Sequence, residues 1–208
     1  MGLIVMGKGD FTMTDTSARK TEMKTAMGKG GTSALMAGVA GFGLGMMVSA
    51  GRKAAAQAAT FAAGDWFEGL KAEHQVARGL LEKLAATREE DMAKRAALVF
   101  ELQHAMGKHQ VQEEYVVYCV VAAHGQADVA ESLNADHFEV KQGLYELEMI
   151  GKEKRPGFLE KVAAIRTAFE SHVREEEDEV FPALQVMLTD AEKTALTNRM
   201  NREGFKVA

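Results

Sequence analysis

The chain has 208 residues, a formal net charge of −5 and a sequence pI near 5.7. That length suits one ordinary domain plus an appendage, and the acidic balance without an extended Lys/Arg tract excludes a strong electrostatic footprint for nucleic acid or anionic lipid. A single cysteine, Cys119, excludes an intramolecular disulfide, and two prolines among abundant Ala, Leu, Glu and Lys predict an all-α protein.

Residues 1–64 differ in kind from the rest, holding eight of the thirteen methionines and most of the glycines. From Gly30 to Gly51 run 22 consecutive uncharged residues, long enough to span a bilayer as a helix but only weakly apolar. Within them Ser33, Ala37, Gly41, Gly45 and Ser49 recur every four residues. Such a small-xxx-small stripe lets helix backbones approach closely. The favoured reading is a glycine-zipper-like helix, about 33–50, that joins copies of the chain into a homo-oligomer or meets a membrane surface. A flexible leader and true membrane insertion are the competing readings. The expected location is cytoplasmic, with membrane association through residues 30–51 as an added expectation.

The bundle is expected over 65–188, with a C-terminal helix and tail over 189–208. Asp65 is an N-cap candidate, and Trp66, Phe67, Leu70, Leu80, Leu81 and Leu84 predict a first helix to about Ala86. A second is predicted over roughly Glu89 to Ala123, ending at His124-Gly125, where glycine suits a left-handed cap. A third is predicted from about Ala127 to Ile150, stopping at Gly151. The fourth starts after Pro156 and reaches about Leu188, with Pro182 expected to bend it. A short fifth, capped by Asp190, is predicted to about Asn201, outside the four. The expected architecture is an up-down-up-down four-helix bundle.

Along these helices a set of side chains repeats at an offset of 63 residues. His74, His109 and Glu113 recur as His137, His172 and Glu176. Their flanks repeat too: HQVQEEYVVY from His109 matches HVREEEDEVF from His172, and Leu70, Ala72, Glu73 match Leu133, Ala135, Asp136. Each His-x-x-x-Glu pair has i,i+4 spacing, which puts both side chains on one helix face. Four imidazoles and two carboxylates are the donor set of a two-metal site. If Glu113 and Glu176 each bridge, every metal has two His nitrogens and two Glu oxygens, leaving room for an oxo or hydroxo bridge and an open position. Imidazole with carboxylate favours iron over manganese or zinc. The ferritin-like Glu-x-x-His order is absent. His104 and His124 do not repeat, so neither is expected to bind metal.

The order of a lone His, His-x-x-x-Glu, a lone His and His-x-x-x-Glu resembles the hemerythrin-like, His-His-Glu cation-binding family. The resemblance covers about Asp65 to Leu188 and all six positions. The N-terminal appendage and the closing MNREGFKVA resemble those of bacterial members. It implies that His74, His109, Glu113, His137, His172 and Glu176 hold two iron ions, oxo- or hydroxo-bridged when oxidised, and that the chain binds or senses dioxygen or a related small molecule such as nitric oxide or peroxide. Oxygen-carrying members have a further histidine where this chain has Lys141, and an aspartate five residues after the last His where this chain has Glu176 at four. This weighs against reversible carriage. A di-iron redox enzyme, and an iron store or donor for the repair of iron centres, are the alternatives.

The remaining polar residues near the pattern are read blandly. Glu73, Glu114, Asp136 and Glu177 are displaced by about 100° or 140° from the ligand face and are expected to be surface charges, with acceptors for the ligand imidazole N–H groups as the alternative. Lys141 and its counterpart Arg78 are expected to snorkel to water. Tyr115, Tyr118 and Tyr145 are expected to pack away from the site, and Cys119, in the apolar run VVYCVV, to be buried.

Overall fold

The computed structural model describes residues 60–208. The N-terminal stripe of small residues lies outside that range. Helix α1 is Trp66–Ala85, α2 Met92–Gln112, α3 Tyr118–Ala123, α4 Ala127–Glu153, α5 Phe158–Glu175, α6 Phe181–Met187 and α7 Asp190–Val207. Single π-helical segments, Glu113–Val117 and Glu176–Val180, join α2 to α3 and α5 to α6. There are therefore four long rods, all-α, and no strand among the described residues.

Local chemistry accounts for several helix ends. Asp65 has extended backbone and its side chain accepts from the Glu68 N–H at 2.9 Å, satisfying one orphan donor of the first turn. Gly125 takes φ +86° after α3, as a left-handed turn requires. Helix α4 does not stop at Gly151. It continues to Glu153, and Lys154 takes the left-handed conformation (φ 53°) instead. The last helix is capped by Thr189 rather than Asp190: Thr189 Oγ1 accepts from the Glu192 N–H and Glu192 returns the bond to the Thr189 N–H. This is a capping box. Helix α7 also runs past Asn201 to Val207 and is bound to the bundle, burying Leu196, Met200 and Gly204, while Thr197 Oγ1 accepts from the Trp66 N–H at 3.1 Å.

The core forms two apolar layers. One contains Leu81, Leu84, Leu102, Met106, Leu144, Leu147, Ile165 and Phe169; the other contains Trp66, Leu70, Val117, Tyr118, Leu133, Phe181, Leu184 and Met200. The 63-residue offset relates Leu81 to Leu144, Leu84 to Leu147, Leu102 to Ile165 and Met106 to Phe169, so the packing repeats as the ligand pattern does. Along α1 the chain passes from Trp66 and Leu70 in one layer, through His74, to Ala77 and Leu81 in the other. The candidate ligands thus form a polar layer between two dry ones. Helices α4 and α5 approach closely at Gly143, where an added Cβ would sit 2.8 Å from Ile165 Cγ1. No helix among the described residues is long and apolar enough to cross a membrane.

Candidate metal centre

All six repeated residues meet in the middle of the bundle, and each is at most 2% exposed. Their donor atoms fall into two groups: His74, His109, Glu113 and Glu176, and His137, His172, Glu113 and Glu176. Within each group the donor atoms lie within 4.8 Å of one another. One histidine pair comes from α1 and α2, the other from α4 and α5, and the two glutamates belong to both. Glu113 Oε2 lies 2.9 Å from His109 Nε2 and 3.2 Å from His137 Nε2. Glu176 Oε2 lies 3.3 Å from His74 Nε2 and 3.4 Å from His172 Nε2. Each carboxylate therefore touches one imidazole of either pair.

Both glutamates open a π turn. Tyr118 N–H donates to the Glu113 carbonyl and Phe181 N–H to that of Glu176, five residues back in each case. The wide turn adds one residue, so the inward stripe resumes at Tyr118 and Val121, and at Phe181 and Leu184. The break before α6 is therefore not due to Pro182, because the same turn occurs at Glu113–Val117 without a proline. Cys119, on the outer side of α3, is exposed rather than buried, since the apolar run encircles a helix with one face in the core.

The four repeated acids are not idle surface charges. Each faces the outer nitrogen of a candidate ligand imidazole. His74 Nδ1 is 2.7 Å from Glu177 Oε1 and His137 Nδ1 is 3.0 Å from Glu114 Oε1. His172 Nδ1 is 3.4 Å from Asp136 Oδ2, and His109 Nδ1 is 3.5 Å from Glu73 Oε2. The last is too poorly aligned to be a hydrogen bond, which leaves His109 Nδ1 without a partner. At His74, His137 and His172 such carboxylates favour the proton on Nδ1 and an inward Nε2. Arg78 and Lys141 in turn hold Glu177 (3.6 Å) and Glu114 (2.8 Å), so both cations sit behind the carboxylates. His104 and His124 are exposed and outside the cluster.

Tyr118 is the residue whose place the sequence reading ranked wrongly. It is 1% exposed, and its hydroxyl donates to Glu176 Oε1 at 2.6 Å while lying 3.0 Å from His137 Nε2. Tyr115 and Tyr145, both 63% exposed, stay outside. The signal for Tyr118 was its place five residues after Glu113, which only a π turn brings back to the ligand face.

Electrostatically the site is built for cations. Burial lowers the affinity of His109 for a proton, but Glu113 and Glu73 more than reverse this and push its pKa up to about 10. Burial likewise opposes the proton on His74 and His137, yet the carboxylates of Glu176 and Glu177, and of Glu113 and Glu114, leave both raised. His172 is pushed down by burial. Burial raises Glu113, but His109 and His137 hold it well below the carboxylate range. Burial, with the charges of Glu113 and Glu176, raises the Tyr118 phenol well above its ordinary value.

The donor set fits a metal. His74 Nε2 and His109 Nε2 face each other at 3.2 Å, so loss of their protons would leave two lone pairs converging on one point. Glu113 Oε1 and Glu176 Oε2 are buried without hydrogen-bond partners. Orphaned buried acceptors of this kind are rare unless an unseen group satisfies them.

The family model for the Hemerythrin HHE cation binding domain matches residues 67–184, more than half of the chain. The chain belongs to this hemerythrin family. Its matched span begins within α1 and ends within α6, enclosing all six candidate ligands. No curated protein and no solved structure matches the chain.

Proposed function

We propose that this hemerythrin-family chain is a non-haem di-iron protein that binds or senses dioxygen or a related small molecule such as nitric oxide or peroxide. The observation that carries the reading is the contact of Glu113 and Glu176 with both histidine pairs, which supports two adjacent cation positions with shared carboxylates. His74 and His109 would hold one ion and His137 and His172 the other. Imidazole and carboxylate donors suit iron, which supplies reversible one-electron chemistry and affinity for diatomic ligands.

The chain's own residues do the rest. The apolar layers on both sides exclude water, and Glu177 and Glu114 orient His74 and His137. Tyr118 keeps its proton at neutral pH and holds it 2.6 Å from Glu176 Oε1. That proton favours a second reading, a di-iron redox enzyme, because reduction of dioxygen or peroxide consumes protons.

The ultraviolet–visible spectrum of the iron-loaded, reduced protein tests both. Charge-transfer bands that appear in air and vanish when oxygen is withdrawn support binding or sensing. Irreversible oxidation with turnover of peroxide supports the enzyme. A chain that takes up no iron ends both readings.

A further inference from the structure

The two histidine pairs are related by the 63-residue repeat, but their surroundings are not. Beside His109 lies Glu73, only 9% exposed, whose Oε1 accepts from Thr60 Oγ1 at 2.5 Å and from Lys108 Nζ at 2.6 Å. Lys108 is itself 6% exposed and also donates to Thr60 Oγ1 at 3.1 Å. The Gln112 amide, with its nitrogen turned toward this carboxylate, lies 2.8 Å from Oε2 and 3.0 Å from Oε1. Glu73 is thus a buried carboxylate with a buried counter-ion, and its Oε2 lies 3.5 Å from the outer nitrogen of His109, a charge contact rather than a hydrogen bond.

The repeat mate of this arrangement lacks nearly every part. Asp136 stands for Glu73, Ser171 for Lys108, Glu175 for Gln112 and Ala123 for Thr60. The Asp136 side chain is 38% exposed beside His172. A buried ion pair left to itself gains little, because desolvation offsets the attraction. Its retention in one half alone points to a task in that half.

We propose that the Thr60–Glu73–Lys108 array positions His109 and makes the His74/His109 pair the tighter of the two cation positions. The inference rests on the two-cation reading above. Held 3.5 Å from Nδ1, the ionised carboxylate favours by its charge the imidazole form with Nδ1 protonated and Nε2 inward, and raises the basicity of that nitrogen as a donor. Lys108 and Thr60 hold Glu73 in place by pinning Oε1, while the more exposed Asp136 has no such cation beside it.

The test is titration of the metal-free full chain with Co(II), followed by its visible absorption and by calorimetry. The wild type should fill in two steps. Paramagnetically shifted imidazole N–H resonances of His74 and His109 should appear before those of His137 and His172. Glu73→Gln and Lys108→Met should each weaken the first step about 10- to 100-fold and leave the second within about threefold. Asp136→Asn should shift the second step by less than about threefold. The double variant Glu73→Gln/Lys108→Met removes both buried charges together, so it keeps the fold and gives the same loss at the first step. Two equal steps in the wild type, loss spread alike over both steps, or a double variant with wild-type affinity overturns the proposal while the two-cation reading survives. Absence of any Co(II) uptake by the wild type defeats that reading and this one with it.

Discussion

The Tyr118 hydroxyl donates to Glu176 Oε1 over 2.6 Å, so a phenol from α3 restrains the glutamate that opens the π turn between α5 and α6. Its repeat counterpart is Phe181, equally buried and without a donor. The bundle is therefore two-fold in its candidate ligands but not in its proton inventory.

Tyr118→Phe makes that position match its counterpart with little change of volume. It leaves a buried carboxylate oxygen without its donor, a loss of about 1–3 kcal/mol. Denaturant unfolding of the metal-free protein should show this as a lower midpoint with unchanged slope. An unchanged midpoint would mean that the hydroxyl does not bond to Glu176.

Because each glutamate touches both histidine pairs, Glu113→Ala or Glu176→Ala should cost most of the bound metal, not half of it. His104, exposed and outside the cluster, should tolerate alanine with metal content unchanged. Metal analysis by mass spectrometry decides. If His104→Ala empties the site and His137→Ala does not, the ligand assignment is wrong.

The metal-free protein should be most stable in a window just above the ordinary carboxylate range and below that of histidine. His109 is raised from 6.5 to about 10, so its stabilising contribution is complete below 6.5 and fades as pH rises toward 10. Glu113 is depressed below 4.5, so its contribution is present above 4.5 and is lost as pH falls. His172, pushed down by burial, adds to the loss in acid. Metal binding must also displace the protons from His109 and its neighbours, so affinity should rise with pH through neutrality. Thermal melts from pH 4 to pH 10 with chelator, and calorimetric titrations at about pH 6 and 8, test the two slopes.

Gly143→Ala should destabilise the bundle by about 1–3 kcal/mol, because its Cβ would meet Ile165 Cγ1 at 2.8 Å in a packed interface. Gly79, within α1 and with no atom within 4 Å of an added Cβ, should gain about 0.5–1 kcal/mol as alanine. Opposite signs in chemical denaturation are the expected result; equal signs would place the α4–α5 contact elsewhere.

The stripe of Ser33, Ala37, Gly41, Gly45 and Ser49 predicts that deleting residues 1–59 turns an oligomer into a monomer with metal content intact. Light scattering on both chains measures it. Equal masses would defeat the self-association reading.

Sequence by itself determined the four rods and the six candidate ligands. Both are written in short-range order: apolar residues at helical spacing, His-x-x-x-Glu on one face, Asp65 as a cap, and a repeat that marks the ligand set against His104 and His124. The tertiary structure decided how those parts address one another. Glu177 reaches His74 across 103 residues and Glu114 reaches His137 across 23, contacts set by how the rods pack and by no local signal. The angle that put these acids on the surface assumed a free helix, whereas in a four-rod bundle the flank of one helix faces the ligand of the next. Tyr118 was misread for a related reason. A five-residue turn interrupts the period on which its orientation was reckoned, and that turn forms where a buried glutamate must reach both histidine pairs at once.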